Sequence, residues 1–157
     1  MIRFDSMNVT NFGKVIFIPK NHTVPSLPDM NLIVLKGDDK YHAICIDIEI
    51  DSIGDSVEDA CNNLKKRLLL YTTQMVNNYD NNIKAAAEDI INMAYSQGDL
   101  KQYLFKRYIQ AKQQYLLSKI AKKNKAKSRK EEIKNAFNRI FQIEPIRFDL
   151  TLAAGMA

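Results

Sequence analysis

The order of patterns in the first half of the chain constrains the fold most. Residues 31–36 have a continuous apolar centre, which is typical of a buried strand, and residues 37–39, Gly-Asp-Asp, have turn chemistry. Residues 40–46 then return as the second arm of a hairpin. A hairpin followed closely by a further strand and a capped helix predicts a small antiparallel sheet with a helix packed on it.

The third strand is predicted from strict alternation. Three isoleucines occupy every second position and carboxylates lie between them: Ile46, Ile48 and Ile50 against Asp47, Glu49 and Asp51. A period of two places the isoleucines on one face and the carboxylates on the other. Gly54 is expected to end this strand.

A helix is predicted to begin directly after Gly54. Ser56 and Asp59 form a Ser-x-x-acid capping box, with Asp55 and Glu58 as a competing pair one residue earlier. Apolar residues then recur at helical spacing, at Val57, Ala60, Cys61, Leu64, Leu68, Tyr71 and Met75. The polar run over 77–82 is the best domain boundary.

The second half reads as mainly helical. Helices are predicted over 83–94, over 100–115 and, after a Ser128/Glu131 capping box, over 131–141, with a final strand at 146–152. The expected fold class is therefore α+β: a small antiparallel sheet with one packed helix, followed by a helical C-terminal region. The expected domains are an α+β domain over 1–78 and a basic helical region over 83–157.

Composition excludes several protein classes. At 46% hydrophobic and 26% charged residues, the chain is neither disordered nor a disulfide scaffold. No unbroken apolar run is longer than four residues, the length of 68–71, which is far shorter than the roughly 20 residues of a membrane helix. No basic, apolar secretion signal is visible at the N-terminus. Cys45 and Cys61 lie in apolar patterns, so we expect reduced thiols in a cytoplasmic protein. Because no apolar run is long enough for a membrane helix, we expect no membrane partner.

The charge is strongly segregated. Residues 100–130 contain 11 Lys and Arg and no Asp or Glu, which leaves 12 basic and 18 acidic residues in the rest of the chain. Residues 38–59 contain eight acids and a single cation, Lys40. Such a chain can use its two halves on different partners, or it can neutralise itself within a homodimer or higher oligomer.

Two motifs follow the first hairpin strand in a fixed order. They are Tyr41-His42-Ala43-Ile44-Cys45-Ile46-Asp47 and, continuing through Asn63-Leu64, Gly54-Asp55-Ser56-Val57-Glu58-Asp59-Ala60. Together they resemble the HicB-like antitoxin family, in which an aromatic-x-Ala-x-Cys strand and a Gly-Asp-Ser/Thr-x-Glu-Glu-Ala helix start recur. The resemblance covers residues 32–68, about a quarter of the chain.

The resemblance implies a partial ribonuclease-H-like sheet that dimerises and lacks nuclease chemistry. It further implies a domain that binds and blocks a small basic RNA-cleaving toxin of the HicA type. Many members add a C-terminal helix-turn-helix or ribbon-helix-helix segment that binds operator DNA. This chain departs from the pattern, since some 30 residues precede the hairpin and the C-terminal half is longer and more helical. Ala94 and Gly98 have helix-turn-helix spacing, but Gln97, Asp99 and Arg107 stand where apolar residues are expected.

Two sets of candidate binding residues follow from the charge pattern. Asp47, Glu49 and Asp51 would lie about 7 Å apart on a strand face, which is too far to share one metal ion. Because they are all negatively charged, they are instead predicted to form an acidic docking face for a basic protein. A nucleic-acid backbone contact, to DNA or RNA, is predicted for Lys101, Lys106, Arg107, Lys112, Lys119, Lys122 and Lys123. The alternative for the basic set is a solvated helix face.

The sequence offers no positive sign of catalysis. His22 and His42 lack a Ser, Cys or carboxylate at a catalytic spacing, the cysteines lack a CxxC partner, and there is no glycine-rich phosphate loop. We therefore expect a non-enzymatic, antitoxin-like binding module without metal or cofactor. The alternatives are an assembly protein with self-complementary charged halves and a nuclease-like enzyme that uses the acidic residues.

Overall fold

The computed structural model describes residues 3–18, 25–121, 142–143 and 146–154. The elements in chain order are β1 Asn8–Phe17, β2 Met30–Lys36, β3 Tyr41–Cys45, β4 Ile50–Gly54, α1 Val57–Asn78, α2 Ile83–Tyr95, α3 Asp99–Ala121, β5 Gln142–Ile143 and β6 Ile146–Leu152. The strands form one antiparallel sheet in the order β4-β3-β2-β1-β6-β5. A short 3-10 turn, Phe4–Ser6, precedes β1.

The predicted α+β fold class is confirmed, and the C-terminal strand joins the same sheet as the N-terminal region. β6 pairs with β1 from Asn11↔Leu152 to Phe17↔Ile146. This pairing requires a glycine in β1, because a Cβ added at Gly13 would lie 1.8 Å from the carbonyl oxygen of Asp149. Strand β6 therefore connects the end of the described chain to its beginning.

One face of the sheet is covered by α1 and α2. Ser56 is confirmed as the N-cap of the predicted capping box, since the Asp59 backbone amide donates to Ser56 Oγ at 3.0 Å. Helix α1 then buries its periodic apolar residues, Ala60, Cys61, Leu64 and Leu68, against β1–β3 and β6. Helix α2 adds Ala87 and Ile90 to the same core.

The other face is covered by α3 and by the segment before β1. Leu104, Tyr108 and Ala111 pack on residues of β1, β2 and β3, and partly buried Phe4 and Met7 border this second core. Because α2 and α3 lie on opposite faces of the sheet, they do not pack together as the two helices of a helix-turn-helix.

The predicted third strand, which begins at Ile46 and ends at Gly54, is wrong in its first part. Residues 46–49 form a turn, closed by a hydrogen bond from the Glu49 amide to the Ile46 carbonyl, and Glu49 has a φ of 53°. Ile46 packs in the α3-side core and Ile48 in the α1-side core. The alternation therefore reflects two isoleucines that reach two different cores. The predicted helix over 131–141 lies outside the described residues.

Candidate interaction surface on helix α3

The inner side of α3 is fixed to the sheet by aromatic packing. Phe12 of β1 makes edge-to-face contacts with Tyr108 and Tyr115, at centroid distances of 5.8 and 5.7 Å. Lys14 lies over the Tyr108 ring at 5.8 Å. Burial, with a smaller effect of Asp47, raises the pKa of Tyr108. Two aromatic residues of the basic segment, Tyr108 and Tyr115, therefore pack against the core.

The outer side of α3 exposes large aliphatic residues. The most exposed are Ile109, Leu116, Leu117 and Ile120, with 50%, 47%, 66% and 68% of their surface accessible. At 100° per residue, Ile109, Leu116 and Ile120 project within about 40° of one another. The N-terminal part of this side forms a shallow groove of about 530 Å³ lined by Gln97, Gln102, Phe105, Lys106, Ile109 and Gln110.

Three of the predicted cations flank this aliphatic side. Lys106, Lys112 and Lys119 are exposed, and helical spacing places Lys112 and Lys119 on one side of the aliphatic residues and Lys106 on the other. No acid lies between Leu100 and Ala121. We call Lys106, Ile109, Lys112, Leu116, Lys119 and Ile120 the α3 surface. It presents apolar area together with positive charge that no acid within residues 100–121 compensates.

Lys101 does not belong to this surface, which corrects its prediction as a nucleic-acid contact. It is only 4% exposed. Its ammonium donates to the carbonyl oxygens of Met93 at 3.1 Å, Ala94 at 3.3 Å and Ser96 at 2.9 Å, at the C-terminal end of α2. These carbonyls are the acceptors that a helix leaves unsatisfied at its end, so Lys101 caps α2 and holds the α2–α3 connection.

Arg107 is likewise occupied within the fold. Its guanidinium donates to the carbonyl oxygens of Phe4 at 3.1 Å and Met7 at 2.6 Å, and to the Tyr103 hydroxyl at 2.9 Å. These bonds join α3 to the segment before β1. The prediction that Arg107 contacts a nucleic-acid backbone is therefore also corrected, because its donors face the protein. Lys122 and Lys123 lie outside the described residues.

The structure separates the three predicted acidic residues from one another. Asp47 Oδ2 accepts from the Asn31 amide N–H at 2.5 Å and from Asn31 Nδ2 at 3.3 Å, while Lys14 Nζ donates to Asn31 Oδ1 at 2.6 Å. Asp47 thus anchors the 46–49 turn to β2. Glu49 is exposed at the end of that turn, and Asp51 lies in β4 with its carbonyl accepting from Arg67. The three carboxylates do not share one strand face.

The histidine and cysteine side chains described by the structure are buried. His42 is 7% exposed and meets the Phe4 ring edge-to-face at 5.9 Å. Burial raises the pKa of the Cys45 thiol and raises the pKa of Cys61 to about 12. No group of three His, Cys, Asp or Glu side chains within the described residues is arranged to hold a metal ion.

Two further observations concern the whole chain. Among the described helices, none combines the length and apolarity required to cross a membrane. No protein-family model, curated protein or solved structure is significantly similar to this chain. The α3 surface is therefore interpreted from its own chemistry.

Proposed function

We propose that this protein is a non-catalytic, antitoxin-like binding module of the cytoplasm that contacts nucleic acid through the α3 surface. The observation that supports this most is the set of three exposed lysines, Lys106, Lys112 and Lys119, on a helix segment without any acid. Exposed ammonium groups bind phosphates without reading sequence, so the contact would be to the backbone of DNA or RNA.

The acidic part of the chain supports the second half of the proposal, in which a small basic toxin is bound. Exposed Glu49 lies beside Gly98, next to the start of α3, and the β2–β3 turn and the first turn of α1 carry further exposed acids: Asp38, Asp39, Glu58 and Asp59. Complementary charge speeds and orients the association of two proteins. The resemblance of residues 32–68 to HicB-like antitoxins points to the same class of partner.

The nucleic-acid test is a salt titration of binding to a duplex of arbitrary sequence. Three phosphate contacts predict that log K falls with log[salt] with a slope of about −2.7. The variant Lys106→Glu/Lys112→Glu/Lys119→Glu is expected to abolish binding. The variant Ile109→Ser/Leu116→Ser/Ile120→Ser is the matched control and is expected to keep the same slope. Binding that survives the charge variant would overturn the nucleic-acid contact.

A second candidate function is assembly through α3. It is favoured by the side chains that face outward, which are aliphatic, whereas Tyr108 and Tyr115 contact Phe12 and are less available for stacking on bases. Exposed aliphatic clusters mark protein interfaces. Assembly predicts the opposite pattern: the triple serine variant dissociates the oligomer, and high salt leaves the oligomer of the parent protein intact.

A further inference from the structure

Strand β4 is an edge of the sheet. In the strand order β4-β3-β2-β1-β6-β5, Ile50–Gly54 has β3 on one side and no neighbouring strand among the described residues on the other. An open edge presents unpaired N–H and C=O groups and is a template for another strand. Whether the sheet can be extended here therefore depends on whether these groups already have hydrogen-bond partners.

The backbone register identifies the groups that point outward. The Ile46 amide donates to the Asn31 carbonyl at 2.9 Å, which continues the β2–β3 ladder, so even-numbered residues of β3 point to β2 and odd-numbered residues point to β4. Ala43 is paired with Ser52. Ser52 thus points to β3, and its neighbours Asp51 and Ile53 point away from the sheet.

Both outward carbonyls are occupied by side chains of α1. Asn63 Nδ2 donates to the Ile53 carbonyl oxygen at 2.9 Å, and Arg67 Nη1 donates to the Asp51 carbonyl oxygen. Asn63 and Arg67 are four residues apart and therefore share one side of the helix. Their spacing along α1 matches the two-residue spacing of the outward carbonyls along β4. We call these two side chains the α1 clasp.

We infer that the α1 clasp closes a latent strand-addition site at the β4 edge. A strand that added to β4 would need the carbonyls of Asp51 and Ile53 as acceptors for its own amides. In the structure these acceptors already have donors from the same chain. The inference goes beyond the proposed function, because it concerns the sheet edge and not the α3 surface.

The occupant of the opened site is β4 of a second copy. Two antiparallel β4 strands related by a twofold axis at Ser52 would place Asp51 opposite Ile53 in both directions, so that no two carboxylates within β4 face each other. Ile53 is 43% exposed and supplies apolar area to such a pair. While the clasp is in place, dimers form elsewhere than at this edge.

The test compares the molar mass of two double variants by size-exclusion light scattering. Asn63→Ala/Arg67→Ala removes the clasp and keeps good helix formers in α1. Lys66→Ala/Gln74→Ala removes one cation and one amide from exposed positions of the same helix and is the control. Both are placed on the Ile109→Ser/Leu116→Ser/Ile120→Ser background, so that any assembly through α3 does not contribute. The clasp variant is expected to double in mass and the control to keep the background mass.

A third variant distinguishes strand addition from non-specific association. Adding Ile53→Pro to the clasp variant removes an outward N–H without removing a bond to β3, and a proline is tolerated at such an edge position. We expect this change to restore the background mass. In the variant without proline, the Asp51 amide should exchange with solvent more slowly as protein concentration rises. A clasp variant that folds by circular dichroism and keeps the background mass, or one whose association survives Ile53→Pro, would overturn the inference.

Discussion

The two faces of the sheet are built differently. Among the residues that the structure describes, the core under α1 and α2 contains 18 buried apolar residues and the core under α3 contains eight, bordered by partly buried aromatic residues, Met7 and Val9. The α3 side also contains the polar chain Lys14–Asn31–Asp47 and the bonds of Arg107 to the segment before β1. Apolar burial therefore concentrates the stability of the fold on the α1 side.

Helix α3 carries core residues on one side and exposed residues on the other. Helix α3 uses Leu104, Tyr108 and Ala111 to hold the sheet, and it leaves Ile109 and Leu116 about half exposed. Its cations divide in the same way, because Lys101 and Arg107 bond to backbone carbonyls and Lys106, Lys112 and Lys119 remain at the surface. The side chains that hold the sheet and the exposed lysines thus lie on different sides of α3.

The largest expected effect distinguishes the leucines of the two helices. Leu64→Ala, at a fully buried position of α1, should lower the free energy of unfolding by about 2–5 kcal/mol, because it removes apolar contacts and leaves a cavity. Leu116→Ala on α3 should change it by less than about 0.5 kcal/mol. Urea denaturation of both variants measures the difference, and equal losses would contradict the division between the two helices.

The next effect separates two lysines of α3. Lys101→Met removes the donor to the Ala94 and Ser96 carbonyl oxygens at the end of α2, which should cost about 2 kcal/mol of unfolding free energy. Lys106→Met at the exposed position is the control and should be nearly neutral. Thermal melts of the two variants provide the comparison. A Lys101→Met protein as stable as the control would show that the Lys101 cap does not stabilise the fold.

A smaller effect is expected at the start of α1. Ser56→Ala removes the hydroxyl that accepts the Asp59 amide and should cost about 1 kcal/mol. Ser118→Ala, in the last turns of α3, should not destabilise, because alanine is the better helix former. Urea denaturation is again the measurement. A stabilised Ser56→Ala protein would show that the cap contributes nothing.

The smallest effect concerns the thiols of the α1-side core. Burial raises the pKa of Cys45 and raises that of Cys61 to about 12, so both stay protonated in the folded state at pH 8. Since the folded pKa values exceed the unfolded one, the thiols add no pH dependence to stability below about pH 8, and they lower stability as the pH rises above 9. Ellman's reagent at pH 8 should label neither thiol until denaturant is added.

Local signals predicted the α1 side well. The Ser56 cap, the apolar period of α1 and the hairpin turn all appear where their chemistry requires. The alternation that begins at Ile46 led to the wrong prediction of a strand at residues 46–49. A period of two does not distinguish a strand from a turn whose isoleucines enter opposite cores. The positive φ of Glu49, 53°, cannot be predicted from such a pattern.

The candidate site was harder to predict because a lysine carries the same charge in every role. Lys101 and Lys106 look alike in sequence, and only the position of the α2 C-terminus makes Lys101 a cap. The distance between Gly98 and Lys101 is a signal in principle, since a cation shortly after a helix end can bind its last carbonyls. Arg107 had no such signal, because its acceptors, Phe4 and Met7, lie about 100 residues away.

The most direct test is co-purification from the native operon at low and at high salt, with size-exclusion light scattering of the product. The experiment is run on the parent protein and on Lys106→Glu/Lys112→Glu/Lys119→Glu. We expect the parent to carry nucleic acid that high salt releases, and the charge variant to fold equally well and carry none. A parent protein that forms a clean oligomer and carries nothing at either salt would contradict the proposed function and favour assembly through α3.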